Sequence, residues 1–431
     1  MFKEHPLRRV LAEEIHARPP AEVAAPAQVS HIALISGEDG MATHVAHLEA
    51  LCKHFRVAPP PADATHFSAE LGEVRLKWER HTEFSTFTII RPGEFATPFK
   101  GTAIDSLPKD WLSNLPGQVI AACHVAVQAS GGAQRPVAEL TGLFDNNPVT
   151  GSVVSGGKVR LWTDYQLHAD GFHRFLLDAR DDISRPTLSR LVQRILEIET
   201  YRMMAMLAFP LAKESRPRLA AIEKQLGGAI ARLGTREGVE NERQLLDEIS
   251  ALAAEIEAVN VATAYRFAAA RAYHELIKRR MDSMREERMD GFPPSMDFLD
   301  RRVAPAMESC ENLSARLESL SGRVARATSL LRTRVDVALE AQNRDLLESM
   351  NRRARLQLRL QETVEGLSVV AISYYLLSLV SYLAKGAKTA GLSPFDPYIV
   401  VLVAFVPVVG GIWFGVRRVR HVIGKSAGGG K

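Results

Sequence analysis

The pattern of hydrophobic and polar positions changes along the chain. Up to about residue 180, short apolar stretches alternate with polar residues in a period of two, which is typical of strands. Between about Arg185 and Glu365, apolar residues recur at helical spacing. The last part contains two uninterrupted apolar segments. The pattern therefore predicts an α+β head, a long helical stalk and a two-helix transmembrane hairpin at the C-terminal end.

The two apolar segments are Leu367–Leu383 and Pro397–Val416, and neither contains a charged residue. A helix needs about 20 apolar residues to cross a hydrocarbon core of about 30 Å. The second segment is long enough, and the first can extend a few residues upstream or sit in a slightly thinned bilayer. We expect transmembrane helices at 366–383 and 397–416, with a lipid bilayer as partner. The alternative is a buried helical hairpin in a soluble core.

Positive charges flank the hairpin on one side. The loop 384–396 between the segments carries only Lys385 and Lys388 as cations. Lys and Arg close to the ends of spans favour the cytoplasmic side, and the first residues lack the apolar stretch of a signal peptide. We therefore expect both termini and the head in the cytoplasm. The flanking cations are Arg352, Arg353, Arg355 and Arg359 before the first segment and Arg417, Arg418, Arg420 and Lys425 after the second.

Period-two alternation in the head predicts one sheet of five to seven strands, with an amphipathic helix across Thr43–Phe55. The stretches EVRLKWERH and FSTFTIIRP have the alternation of half-buried strands, joined tightly at Thr82 and Glu83. GSVVSGG is interpreted as a turn-rich link. The other predicted strands are HIALIS (His31–Ser36), QVIAACHVAV, VAELTGLF, KVRLWTDY and FHRFLLDA.

The helical part has clear boundaries. Pro186 suits the first turn of a helix, a second long helix is predicted over Asn241–Asp290, and GFPP at Gly291–Pro294 is a break. Apolar residues from Leu313 to Leu331 then form a seam that requires a partner helix. The predicted regions are a head at 1–180, a helical domain at 181–290, a stalk or coiled coil at 291–365, span 366–383, outer loop 384–396, span 397–416 and a basic tail at 417–431.

Composition restricts the function classes. The formal net charge of +4 over 431 residues gives no reason to expect nucleic-acid binding. Cys52, Cys123 and Cys310 lie far apart without a CxxC pair, which argues against a disulfide framework or a zinc site and suits a reducing cytoplasm.

Eleven of the thirteen histidines precede Arg174. The densest group, Asp164, His168, Asp170 and His173, combines imidazole and carboxylate ligands that suit a divalent transition metal. His168 and His173 would lie on opposite faces of a strand, unless Gly171 provides a bend. The alternative is a polar turn with a partly buried histidine. The cofactor is otherwise unknown.

Enzymatic motifs are not recognisable. In GSVVSGGK, five residues separate Gly151 from Gly157-Lys158 and Val159 follows, whereas a phosphate-binding loop has four and continues with Ser or Thr. No nucleophile motif such as GxSxG occurs. We therefore assign no catalytic residue.

The first apolar segment has a polar stripe. Ser368, Tyr375 and Tyr382 are spaced by seven, and Ser378 lies between them on the same helix face. Such a face predicts pore-lining residues. The alternative is that the hydroxyls bond to the backbone or to neighbouring helices, as is usual in membrane bundles.

The second apolar segment contains the pattern Gly-Ile-Trp-Phe-Gly. Gly411 and Gly415 are small residues four positions apart, which lets two helix backbones approach closely. We predict helix packing at this pair, either within the hairpin or between protomers.

Four longer stretches carry a family resemblance: EEIHARPP, FDNNPVTGSVVSGGKVRLWTDYQLHADGFHRFL, GFPPSMDFLDRRVAPAMESC and QNRDLLESMNRRARLQLRLQETVEGLSVVAISYYLLSLVSYLAKG. With them the chain resembles the DUF3422 family of bacterial membrane-anchored proteins, which implies the bacterial inner membrane. The layout is also similar to that of CorA-type divalent-cation transporters, which implies a cytoplasmic head and a homo-oligomer. The Gly-Met-Asn tripeptide of those transporters is replaced here by Tyr382-Leu-Ala-Lys-Gly386.

Three functional hypotheses follow. The first is a non-enzymatic, membrane-anchored homo-oligomer whose head is a sensor or scaffold for an unidentified small ligand or ion. The second is a CorA-like ion transporter or channel with altered selectivity. The third is a membrane-tethered, metal-dependent enzyme.

Overall fold

The computed structural model describes residues 4–9, 11–12, 20–35, 40–129, 135–233, 239–392 and 394–427. These residues form two compact units. One comprises Met1–Thr235 with Leu245–Ser329, and the other Arg236–Gln244 with Leu330–Lys431. Ser36 of the predicted first strand, residues 13–19 of the EEIHARPP stretch and residues 428–431 of the basic tail lie outside the described residues.

In the described residues, nine strands form one mixed sheet in the order β2-β3-β4-β1-β5-β8-β7-β6-β9. The strands are β1 Ala27–Ile35, β2 His66–Leu71, β3 Val74–Arg80, β4 Ser85–Pro92, β5 Gln118–Ala129, β6 Thr150–Val154, β7 Val159–Thr163, β8 His173–Ala179 and β9 Glu287–Arg288. Strand β5 pairs with β8 in parallel, and β1 pairs antiparallel with both β4 and β5. Strand β1 is therefore central.

The helices are α1 Gly40–Phe55, α2 Lys109–Ser113, α3 Val137–Leu143, α4 Arg185–Met206, α5 Ala208–Arg232, α6 Val239–Met284, α7 Ser295–Thr389 and α8 Pro397–Ala427. Pro186 lies in the first turn of α4, as its fixed φ and missing N–H predict. Helix α7 begins directly after GFPP, which confirms that break.

One face of the sheet packs against α1 and α2 in an apolar core. Ile32 and Leu34 of β1, with Leu76 and Trp78 of β3, point to this face because alternate strand residues share a side. Trp111 of α2 completes the contact, with its indole N–H donating to the His47 carbonyl at 2.8 Å. This layer is the ordinary hydrophobic core of the head.

The opposite face of β3 and β4 is also covered, which corrects the half-buried prediction for these strands. Lys77 is 8% exposed, and Thr86 and Thr88 are buried as well. Helix α4 lies over this face. The hydroxyl of Ser189 on this helix accepts a hydrogen bond from the Val23 amide at 2.9 Å. The alternating polar positions therefore point under a helix and not into solvent.

The predicted strand VAELTGLF is wrong, because Val137–Leu143 is helix α3. Leu140 and Phe144, four residues apart, are both fully buried, whereas Val137 is exposed. Burial at a spacing of four residues is typical of a helix, and Pro136 occupies the N-cap position. The apolar run was too short for its period to distinguish the two structures.

The predicted link GSVVSGG is also wrong in its first half, because it begins in strand β6. The turn follows at Ser155, Gly156 and Gly157, which all have positive φ. With β2, β6 and β9, which the sequence did not predict, the described strands number nine and exceed the predicted five to seven.

The apolar seam of α7 begins within the first unit. Leu313, Leu317 and Leu320 are buried, and Arg316 forms an ion pair at 2.6 Å with Glu223 of α5. The partner that the seam requires is therefore supplied in this region by the same chain. Further along α7, Leu346 and Met350 are exposed.

In the second unit, α7 continues through the first apolar segment to Thr389, and α8 runs from Pro397 to Ala427. The predicted outer loop is thus helical as far as Thr389, and the basic tail is helical to Ala427. Among the described residues, two helices are long and apolar enough to cross a membrane, by length and composition. Their most apolar windows are 6% and 0% buried.

Gly151→Ala should destabilise the head. A Cβ at Gly151 would lie 2.9 Å from Cβ and Cγ of Phe292 and 3.0 Å from Cδ1 of Trp162, so either ring must move. Such overpacking costs about 1–3 kcal/mol. Urea unfolding followed by tryptophan fluorescence measures the loss. Gly142→Ala is the control, because its Cβ would meet no atom within 4 Å; equal stability of the two variants would contradict the prediction.

Candidate functional site

A cavity lies between the polar face of β1, β3 and β4 and the covering helix α4. Its volume is about 200 Å³. A water molecule needs only about 10–15 Å³ measured in the same way, so the cavity has room for a small organic molecule. Apolar side chains, among them Val29, Ile90, Val192 and Leu196, form much of its wall. The polar residues of the lining are His31, Lys77, Glu79, His81, Thr86, Thr88, Ser189, Gln193, Glu197, Thr200 and Tyr201.

His31 lies at the centre of the cavity wall. Its Nδ1 is 2.8 Å from the Thr88 hydroxyl on β4, and its Nε2 is 3.1 Å from the Thr200 hydroxyl on α4. Burial, assisted by neighbouring His81, lowers the pKa of His31 to about 3. The imidazole is therefore neutral at cellular pH and connects the sheet to the helix through two hydroxyl groups.

Lys77 and Glu79 form a buried ion pair on β3. They share one face because they are two residues apart in a strand, and Lys77 Nζ lies 3.0 Å from Glu79 Oε1. Their side chains are 9% and 14% exposed. Each charge is thus compensated by the other inside the cavity.

Glu197 of α4 is the second carboxylate at the cavity. It accepts a hydrogen bond from the Gln193 amide at 2.8 Å, and Nε of Arg280 on α6 donates to its other oxygen. Nearby, burial and then the charge of Glu197 raise the pKa of Tyr201 to about 12, so this phenol is neutral. The ion pair with Arg280 connects the cavity to helix α6.

Glu83 ties the β3–β4 turn to the same helix. Its carboxylate accepts from Arg266 at 2.7 Å and from the Tyr273 hydroxyl at 2.6 Å. Burial would raise the pKa of Glu83, but the hydrogen bonds from Tyr273 and Arg266 hold it below its usual value. Glu83 lies in the tight connection that the sequence predicts between these two strands. In the structure its carboxylate also joins this connection to α6.

The sequence-predicted metal residues do not share one contact. His168 Nε2 lies 3.0 Å from Asp164 Oδ2, and its Nδ1 lies 2.8 Å from Asp145 Oδ2, which the sequence analysis did not single out. The hydrogen bond from His168 is the main cause that lowers the pKa of Asp145. The imidazole of His168 therefore lies between the carboxylates of Asp164 and Asp145.

The other two members lie elsewhere in the head. Asp170 accepts from the Phe172 amide at 3.0 Å, in the turn where Gly171 has φ +82°. His173 begins β8, and its Nδ1 lies 3.0 Å from Glu199 Oε1. Among the described residues, no group of three or more His, Cys, Asp or Glu is arranged to hold a metal ion.

Glu199 and Arg202 form a buried charged pair that sequence reasoning missed. Both carboxylate oxygens of the fully buried Glu199 accept from Arg202 at 2.7 Å. Burial would raise the pKa of Glu199, but Arg202 and His173 more than offset this and lower it to about 2. The sequence spacing could have indicated this pair. Glu199 and Arg202 come four and seven residues after the buried Ile195, so all three lie on one face of α4.

A serine, a histidine and an aspartate also lie in series. Ser30 Oγ is 2.9 Å from His124 Nδ1, but His124 Nε2 is 3.9 Å from the nearest oxygen of Asp170. Ser30 has no exposed surface and already accepts from the Ile104 amide. A hydroxyl in this position cannot reach a substrate, so the series is structural.

The predicted pore-lining residues all lie on α7. The hydroxyls of Ser368 and Ser378 donate to carbonyls of their own helix, at Val364 and Tyr374, each at 2.8 Å. Those bonds are the ones that the packing alternative requires. The side chains of Tyr375 and Tyr382 are exposed.

The predicted packing pair lies on α8. A Cβ built on Gly411 or Gly415 would meet no atom within 4 Å among the described residues. The close approach is therefore not made within the described hairpin, and packing between protomers stays a prediction.

The comparison with family profiles agrees with the quoted motifs. A profile described as "Protein of unknown function (DUF3422)" matches residues 3–423, nearly the whole chain. The chain belongs to this family. No curated protein and no solved structure matches it. The stretches quoted for the DUF3422 resemblance include β6, β7, His168 and the start of α7.

The buried His31 of this DUF3422 chain should make the head sensitive to acid. The unfolded chain binds a proton near pH 6.5, whereas the folded chain does not bind it until about pH 3. The free energy of unfolding therefore falls as pH falls through this interval, by about 1.4 kcal/mol per pH unit from His31 alone.

His31→Gln should reduce this slope by that amount, measured as urea midpoints between pH 6.5 and 4. His54→Gln, at an exposed position on α1, is the control and should keep the wild-type slope. An unchanged slope in His31→Gln would contradict a neutral, buried imidazole.

Proposed function

We propose that this protein is a non-enzymatic, membrane-anchored sensor whose cytoplasmic head binds a small ligand in the cavity beneath α4. The hairpin of α7 and α8 holds it in the bacterial inner membrane, with both termini in the cytoplasm, and the chain acts as a homo-oligomer. The observation that carries the proposal is a mainly apolar cavity with polar groups, on a sheet face that a helix covers.

The chemistry of this sheet face favours binding over simple stability. A buried ion pair such as Lys77–Glu79 contributes little to stability compared with apolar residues of similar volume, because desolvation offsets the attraction. Side chains that line a cavity likewise make fewer packing contacts than side chains in a close-packed core. Polar groups in a largely apolar, enclosed site are the arrangement that binds small molecules.

The cavity also has a physical connection to a long helix. Glu197 at the cavity pairs with Arg280 of α6, and Glu83 next to the cavity pairs with Arg266 and Tyr273 of the same helix. A ligand that displaces Glu197 changes the contacts of α6. This supports a sensing role, because the Glu197–Arg280 ion pair joins the ligand cavity to helix α6.

Membrane anchoring is supported by the exposure of both apolar helices. A buried hairpin in a soluble core would have these windows covered, whereas only 6% and 0% of them are buried. The cations at Arg352–Arg359 and after Val416 support the proposed orientation.

Assembly is supported by an apolar surface on α7 beyond the first unit. Leu346, Leu347, Met350, Leu356 and Leu360 are all more than half exposed in the single chain. Association of copies would remove this apolar area from water. The proposal keeps the CorA-like layout only as an arrangement of parts. It consists of a head, a long helix and a hairpin, and copies of the chain assemble with one another. Ion transport and metal-dependent catalysis stay alternative hypotheses without a supporting contact of their own.

Filling the cavity should abolish ligand binding. Leu196→Trp places an indole in the cavity wall, and ligand-observed NMR on the full chain in nanodiscs, with aromatic fragments as probes, should lose the signal that the wild type gives. Arg190→Trp is the matched control, because it adds the same side chain at an exposed position of α4. If Leu196→Trp leaves the signal of every fragment unchanged, the sensor proposal fails.

Topology can be tested by cysteine labelling, since the native Cys52, Cys123 and Cys310 are buried. A cysteine at Ala390, between the two spans, should react with a membrane-impermeant maleimide in intact spheroplasts. A cysteine at the exposed Asp181 of the head should react only after permeabilisation. The reverse pattern would contradict the proposed orientation.

A further inference from the structure

The charges at the cavity are compensated by other groups of the protein. Lys77 is paired with Glu79 at 3.0 Å, and Glu197 is paired with Arg280. Both nitrogens of His31 already have hydroxyl partners. A ligand therefore meets no excess of positive or negative charge among these groups.

A charged ligand would be desolvated in this site without a counter-charge of its own. An anion would have to compete with Glu79 for Lys77, and a cation would have to compete with Lys77 for Glu79. Removing an ion from water costs several kcal/mol unless a partner charge compensates it. The internal pairing thus disfavours both signs.

The remaining hydrogen-bonding capacity belongs to neutral groups. A threonine hydroxyl has one donor and two acceptor lone pairs, so Thr88 and Thr200 can each bond to His31 and to a ligand. The Tyr201 hydroxyl and the Gln193 amide lie in the same lining. These groups recognise a hydroxyl or carbonyl, and the wall around Val29, Ile90 and Leu196 recognises an apolar body.

We infer that the cavity binds an uncharged, largely apolar small molecule that carries one or two hydroxyl or carbonyl groups. This inference rests on the proposed ligand-binding function and adds the chemical class of the ligand. A cavity of this kind differs from binding sites for nucleotides, organic acids or amines, because those sites supply a charge that compensates the charge of the ligand.

A set of probes with one ring system and different charges tests the inference. The probes are 2-naphthol, 2-naphthoate, 2-naphthylmethylammonium and the zwitterion 3-(2-naphthyl)alanine, titrated against the full chain in nanodiscs at pH 7. Signal that Leu196→Trp abolishes is counted as cavity binding, which removes the contribution of partition into lipid. We expect 2-naphthol to bind in the cavity and each charged probe to bind at least about tenfold more weakly, which corresponds to about 1.4 kcal/mol.

Glu79→Gln provides a second, independent readout. It leaves the charge of Lys77 without its partner, so the preference should shift from 2-naphthol towards 2-naphthoate. Glu70→Gln is the matched control, because this exposed carboxylate on β2 pairs with Arg75 and does not line the cavity. The wild-type series decides the inference even if Glu79→Gln does not fold.

The possible failures are distinguishable. Tighter cavity binding of any charged probe than of 2-naphthol by the wild type overturns the neutral-ligand inference and keeps the ligand-binding function. Absence of any Leu196→Trp-sensitive binding at millimolar concentration overturns both.

Discussion

Helix α4 is held on the sheet by buried polar contacts as well as by apolar packing. Glu199 meets His173 of β8 at 3.0 Å, and Thr200 meets His31 of β1 at 3.1 Å. Removing one member of such a contact leaves a buried polar group without its partner, which is costly. The position of α4 therefore depends on these contacts, and the cavity lies between this helix and the sheet.

The same helix relates the cavity to the rest of the head. On one side it contacts the central strand, and through Glu197 it reaches Arg280 of α6. The charged residues at the cavity are therefore paired with one another or with α6, as Lys77–Glu79 and Glu197–Arg280. The apolar parts of α7 and α8, which are long and apolar enough to cross a membrane, belong to the second unit.

Much of the fold was predictable from local patterns. β1, β3, β4, β5, β7 and β8, the break at GFPP and both apolar helices follow from period or length, since these features depend on residues close in the chain. The strand prediction for VAELTGLF is wrong because a short apolar run fits either a helix or a strand until its neighbours are known. The turn prediction for GSVV is wrong because its Gly and Ser residues are typical of turns, whereas pairing with β7 makes this segment a strand. Gly151 illustrates such a distant neighbour: Phe292, far along the chain, lies so close that a Cβ at position 151 would be 2.9 Å from its Cβ and Cγ.

The candidate site was the least predictable part. The residue types and their alternation on β3 follow from sequence, but alternation alone indicates a solvent-facing side for Lys77 and Glu79. Whether a polar face meets water or a helix is a long-range contact, and here α4 decides it from more than 100 residues away in the chain. In the same way, the metal-like spacing of His168 and His173 is local, whereas their partners Asp145 and Glu199 come from other elements. Sequence determines which elements form and which segments suit a bilayer, because these are short-range properties; tertiary packing determines which polar groups are buried together and therefore where a ligand can bind.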